Sequence, residues 1–206
     1  MRRREMMQRI GEPVTHVYFP IDCVTSMTVV LLEGGEIEVA TVGNEGMMGS
    51  AVYLGQEIAT INGFAQVEGE TLRMPVETFR DEVAASRNLR SVMDMYTQAL
   101  FMQVAQNAVC NNAHGADARC ARWLLMTHDR VGRDDFELTQ EFLSLMLGVR
   151  RATVTVAQGR LEKAGLIRHK RARISVVDRT GLEDAACECY AIIGREYDRI
   201  FDGNGR

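Results

Sequence analysis

The stretch that most constrains this chain is LTQEFLSLMLGVRRATVTVAQGRLEKAGLI, Leu138 to Ile167. It reads as two short helices joined by a tight turn. Phe142, Leu143, Leu145, Met146 and Leu147 give the first helix an apolar surface, with Thr139 placed to cap its start and Glu141 in the first turn. Gly148 ends that helix where a left-handed backbone is commonly needed, and Val149 fills the corner. The second helix is expected from about Arg150 to Ala164. Its Val154, Ala157 and Leu161 recur at i, i+3, i+7 and pack back on the first helix. Arg151, Ala152, Thr155 and Val156 lie on the opposite face, with Arg150 at the start, and Gly165 stops the helix. This is the spacing of a helix-turn-helix, whose second helix lies in the DNA major groove. An αα-hairpin inside a core would show the same periodicity.

Charge separates the two readings. LIRHKRARISVVD, Leu166 to Asp178, has β-branched residues at both ends and a cationic middle, as a β-hairpin wing would. Arg150, Arg151, Arg160, Lys163, Arg168, Lys170, Arg171 and Arg173 face a single acid, Glu162. That segment carries +7 in a chain of net charge −4, so the remainder carries −11. A solvated face usually mixes signs. One-sided clustering beside a helix-turn-helix is an electrostatic footprint for phosphate, and a local field outweighs an acidic overall balance.

With these motifs the sequence resembles the Crp–Fnr family of bacterial transcription regulators. TQEFLSLMLGVRRATVTVAQGRLEKAGLI has that family's helix-turn-helix frame, followed by the wing and a closing VVDRTGLE. Upstream, HVYFPIDCVTSM and GGEIEVATVGNEGMMGSAVYLG look like strands of its effector-binding jelly roll. The resemblance implies an α+β fold: residues 1–82 an N-terminal jelly roll like a cyclic-nucleotide-binding domain, 83–114 a long dimerisation helix, and 115–206 a C-terminal winged helix-turn-helix. It also implies double-stranded DNA, a second copy of the chain and RNA polymerase as partners. Among the DNA-binding candidates, Arg151, Ala152 and Val156 occupy positions where the best-known member has Arg, Glu and Arg. Arg151 keeps a fork for guanine, whereas Ala152 and Val156 suit thymine methyls. Thr139 and Thr153 match phosphate-contacting positions, Lys170 and Arg171 fall at the wing tip, and Arg150 replaces a small polar cap. Gln140, Thr155 and His169 complete the set.

The rest of the chain agrees in outline. HVYFP, SMTVVLLE, EIEVATVG and TLRMPV are short segments rich in Val, Ile, Thr and Tyr, punctuated by turns such as Glu33-Gly34-Gly35. The family's roll has further strands ahead of HVYFP, where this chain has only about fifteen residues. The roll is therefore expected to be incomplete, through a mis-set start, an open roll or completion by a partner. Pro75 to Phe79 starts a short helix. Ser86 to Asn112 then carries no Gly or Pro, and Leu89, Met93, Tyr96, Leu100, Val104 and Ala108 form an apolar stripe. That stripe is the expected dimer seam; the alternative is a core helix packed only on its own roll. His114-Gly115 breaks it, and Ala116 to Arg130 forms an amphipathic helix with Ala121, Leu124 and Leu125 apolar, Arg119, Arg122 and Arg130 polar, and Trp123 as a core aromatic. Val131 to Glu137 reads as a polar loop. One C-terminal helix is expected over Arg179 to Phe201, with Asp178 capping it and GNGR fraying.

Chemistry beyond DNA contact finds little support. Cyclic-nucleotide-binding relatives place a Glu after a Gly for the ribose and an Arg-Ser pair for the phosphate. Here Gly49 is followed by Ser50, and no arginine lies between Leu54 and Gln66. An anionic phosphate needs a cation or a cluster of N–H donors, so no cofactor or cyclic nucleotide is expected. Cys110 and His114 sit at i, i+4 with Cys120 nearby, which permits a ligand set, but buried structural thiols are the preferred reading. Cys187 and Cys189, placed on the expected C-terminal helix, point to different faces. With Cys23 the five cysteines form an odd set without framework spacing, expected to be reduced. His16 alone in the β-region does not make a metal-oxygenase site, and no nucleophile triad or phosphate loop appears, so an enzyme is not expected. No apolar run approaches a membrane span, and MRRREMMQ lacks a following apolar segment, so a cytoplasmic protein is expected. The alternative to a sequence-specific regulator is an interaction module with non-specific DNA affinity.

Overall fold

The computed structural model describes residues 1–201; the GNGR end lies outside them. Six strands build the N-terminal roll. β1 (Met6–Gln8), β3 (Val24–Val30), β4 (Glu36–Val42) and β5 (Asn62–Val67) form a four-stranded antiparallel sheet in the order β1-β5-β3-β4. β2 (His16–Pro20) and β6 (Thr71–Pro75) form a second, two-stranded sheet with His16 opposite Pro75. The β3–β4 hairpin turns at Gly34 and Gly35, both at positive φ (86° and 101°), which a side chain would strain. β1 and β5 were not read from the sequence. Three residues are too few to show alternation, and NGFAQV opens on turn-forming residues. The N-terminal segment thus supplies one strand, Met6–Gln8, bound along β5.

Helix α1 (Val76–Ala85) follows Pro75 directly, and α2 (Arg87–Ala113) begins where the Ser86 hydroxyl accepts the Leu89 N–H at 3.1 Å. The α2 stripe departs from the expected seam. Met93, Tyr96 and Leu100 are buried against the chain's own roll, Tyr96 at 3 % and Leu100 at 8 % exposure. The reason is polar as well as apolar. The Gln103 and Asn107 amides donate to the Thr41 and Val39 carbonyls of edge strand β4 at 2.9 and 2.8 Å, and Tyr96 Oη donates to the Met47 carbonyl at 2.8 Å. These bonds satisfy a strand edge that would otherwise stay open, and they fix which face of α2 points inward.

Helix α3 (Ala116–Val131) ends at Gly132 and leads into β7 (Asp135–Glu137), a strand within what the sequence presents as a polar loop. Phe136 alone anchors it, buried between charged neighbours. β7 joins β9 (Arg173–Val176) and β8 (Ile167–Lys170) in a three-stranded sheet ordered β7-β9-β8. Between them lie α4 (Gln140–Leu147) and α5 (Arg151–Lys163). The C-terminal helix is broken in two, α6 (Arg179–Ala185) and α7 (Cys189–Phe201), with Asp178 accepting the Gly181 N–H at 2.9 Å. Arg119, Arg122 and Arg130, expected on a polar face of α3, are buried. The two halves of the chain share one core: Val24, Phe64 and Val67 of the roll pack with Trp123, Phe142 and Met146. The Phe64 and Phe142 rings meet edge to face at 6.1 Å.

Candidate nucleic-acid interface

Local chemistry sets the α4–α5 corner. The Thr139 hydroxyl accepts the Phe142 N–H at 3.1 Å, and Gly148 closes α4 in the left-handed region at φ 61°. Arg150 is the α5 N-cap and makes no side-chain cap bond. Val154, Ala157 and Leu161 are buried against α4 and α3, which turns Arg151, Ala152, Thr153, Thr155 and Val156 to solvent. Val156 is exposed at 52 % on this face. Gln140 bridges the corner: its amide donates to Gln158 Oε1 at 3.1 Å, and its oxygen lies 3.3 Å from the Thr155 hydroxyl. Gln140 therefore ties α4 to α5, while Thr139 caps α4.

The wing carries its cations on one side. Period-2 alternation along β8 turns Ile167 and His169 inward and Arg168 and Lys170 outward. His169 is half-buried and its backbone N–H donates to Glu162 at 3.0 Å, so it stands apart from the exposed set. Arg171 occupies the hairpin turn at φ 57°, where glycine is the relaxed choice; a non-glycine there costs roughly 1–2 kcal/mol. Arg168 and Arg173, part of the basic cluster in the sequence but not among its individual contact candidates, are exposed beside Lys170 and Arg171 and join the basic surface. Strand alternation was the signal for them. Arg160 is engaged elsewhere, paired with Asp117 of α3 at 2.6 Å.

A buried polar junction ties this unit to the roll. Trp123 Nε1 donates to Glu38 Oε1 at 2.8 Å, and the Ser26 hydroxyl lies 2.7 Å from Glu38 Oε2 and 2.8 Å from Gln66 Oε1. Burial pushes the Glu38 carboxyl up to about 7, against the pull of its Ser26 and Trp123 hydrogen bonds and of the Arg122 and Arg130 charges. Beside it, Arg130 pairs with Glu45 at 2.7 Å and donates to the Met126 carbonyl at 2.8 Å. A Cβ at Gly43 would meet the Arg130 side chain, and one at Gly46 the Tyr96 ring, so this loop can approach the helices only as glycine. Cys120 lies in the same core, its thiol pushed up to about 12 by burial, away from the other α-helical cysteines.

Residues 118–185 match the Crp-like helix-turn-helix domain. The chain carries a Crp-like helix-turn-helix domain. Solved structures agree over nearly its whole length. FixK2 from Bradyrhizobium japonicum superposes with a TM-score of 0.76 at 15 % identity, covering 90 % of this chain and 94 % of FixK2. A CRP-family transcriptional regulator from Thermus thermophilus gives 0.74 at 19 % identity, covering 90 % and 95 %. The c-di-GMP-responsive regulator CLP from Xanthomonas campestris gives 0.66 at 13 % identity, covering 85 % and 91 %. At such identities the likeness is one of Crp/Fnr fold. A search of curated proteins finds no match to the sequence. No helix among the described residues is long and apolar enough to cross a membrane.

Proposed function

We propose that this chain is a Crp/Fnr-type, homodimeric, sequence-specific DNA-binding transcriptional regulator whose effector is not a cyclic nucleotide or is absent. The observation that carries the reading is the exposed α5 face, Arg151, Ala152, Thr155 and Val156, set beside a wing whose cations all face outward. Such a surface combines one planar fork for a guanine edge, small apolar groups for thymine methyls, and cations for phosphate. Thr153 and Arg150 at the α5 start, with Lys170 and Arg171 at the wing tip, are assigned to the backbone. The strained Arg171 turn supports that assignment, since folding alone favours glycine there.

Residues 1–82 then serve as an effector-like roll, 83–114 as the dimerisation helix and 115–206 as the reading unit, with RNA polymerase the further partner of a regulator. The dimer face narrows to the part of the expected stripe that stays exposed, Val104 and Ala108, which Phe101 extends at i, i+3, i+7, Phe101 at 67 % exposure. Two reading helices related by a two-fold axis need half-sites about one helical turn apart. A cyclic nucleotide has no place in this account. Val17, Met47, Met48 and Val52 fill the roll, and Ser50 stands where the ribose-binding acid would be.

Selection of bound sequences from random duplex DNA tests the reading. It should return a palindrome with half-site centres roughly 10 base pairs apart, bound equally well with and without cyclic AMP. Enrichment of no sequence, or affinity that rises with cyclic AMP, contradicts it.

A further inference from the structure

The break between α6 and α7 brings together residues that the sequence separates. Cys110 lies in the last turn of α2 and His114 caps that helix, four residues on. Cys187 sits in the break and Cys189 opens α7. On one continuous helix Cys187 and Cys189 would diverge; because Cys187 lies ahead of the helix, both thiols reach the same point. One ligand atom from each of the four residues lies within 4.8 Å of all the others. Cys110 Sγ and Cys187 Sγ are 3.5 Å apart, and Cys189 Sγ and His114 Nδ1 are 3.8 Å apart. We infer that Cys110, His114, Cys187 and Cys189 form a tetrahedral site for a single zinc-class ion, clamping the end of α2 to the α6–α7 junction.

The dimensions decide the nuclearity. A tetrahedral ion with sulfur ligands at about 2.3 Å holds them about 3.8 Å from one another, within a few tenths of an ångström of the 3.5 Å between Cys110 Sγ and Cys187 Sγ and inside the 4.8 Å that bounds the set. An iron–sulfur cluster spreads its terminal sulfurs around two or more irons and needs a wider cage. Three thiolates and one imidazole suit zinc, and four protein ligands leave no open position, which makes the site structural.

The surroundings are those of a built site. His114 Nε2 is 3.0 Å from Glu188 Oε2, a carboxylate that fixes the ring with Nδ1 turned toward the sulfurs. Gln106 Nε2 donates to Cys189 Sγ at 3.0 Å. Arg119 and Arg122 are both buried, make no ion pair among the described residues, and each leaves its Nε without a partner. Three thiolates around a divalent ion leave one negative charge, which offsets these cations in a low-dielectric setting. The ligands straddle Gly115, so the ion closes a loop that contains the whole helix-turn-helix. The site stands independently of what α5 reads.

Metal analysis and cobalt titration of the full chain, purified under reduction, test the assignment. The expected result is one zinc per chain. After its removal, Co²⁺ should bind at one equivalent with the absorption of a tetrahedral, thiolate-rich centre. Cys189→Ser should abolish that spectrum, Cys120→Ser should leave it intact, and Glu188→Gln, on an exposed side chain, should weaken Co²⁺ binding about 10-fold or more. Chelation should lower the melting temperature of the wild type and not that of Cys189→Ser. Wild-type protein that binds neither ion, that shows cluster absorption on reconstitution with iron and sulfide, or that gives the same Co²⁺ spectrum as Cys189→Ser overturns the site.

Discussion

At the scale of single residues, Glu38 has the clearest thermodynamic consequence. Ser26 has one hydroxyl proton and two oxygen acceptors in reach, Glu38 Oε2 and Gln66 Oε1, beside the weaker Met146 sulfur. Both contacts are satisfied when Glu38 carries a proton of its own and donates it to Ser26, which agrees with a carboxyl raised from its ordinary 4.5 to about 7. Because the folded value is the higher one, this stability is fully present below about pH 4.5 and is lost as pH rises through about 7. The loss amounts to about 3 kcal/mol at most. Glu38→Gln removes the titration while keeping an acceptor for Trp123. The melting temperature of the wild type should fall relative to that of Glu38→Gln between pH 5 and 8, and a constant difference across that range would count against the assignment.

Elements show where sequence reading succeeds and where it stops. Caps and stop signals are local chemistry, so Ser86, Thr139, Gly148 and Asp178 mark their helix ends where the sequence puts them. The faces of α2 are not local. Met93, Tyr96 and Leu100 form as good a stripe as any, but Gln103 and Asn107 point the same way because β4 offers them free carbonyls. The buried arginines of α3 mislead similarly: Arg130 reads as surface until Glu45, 85 residues away, is seen to pair with it. The α6–α7 break has no glycine or proline to announce it, and so Cys187 and Cys189 looked divergent. The corrected α2 face yields its own prediction. Phe101→Asp should convert a dimer to monomers in sedimentation at micromolar concentration and leave the fold intact, because Phe101 is 67 % exposed and lies outside the buried core. A wild type that sediments as a monomer removes the basis for the dimer.

At the scale of the whole molecule, the two halves are fused through a common core, so the reading surface rests on the roll as well as on its own helices. On the proposed function, α5 and the wing would act as a pair in which one side chain reads a base while another holds phosphate. Arg151 and Lys170 separate these roles. Arg151 has a planar fork in the first turn of an exposed helix, whereas Lys170 is a point charge at the wing tip. Both variants should be measured on the selected duplex and on random DNA at several salt concentrations. Arg151→Ala should lose about 1–3 kcal/mol on the selected site and relax specificity at one base pair per half-site. Lys170→Ala should weaken both DNAs alike and flatten the slope of log affinity against log salt by about 0.9 per lost contact. If Arg151→Ala leaves the ratio of selected to random binding unchanged, α5 is not the helix that reads sequence.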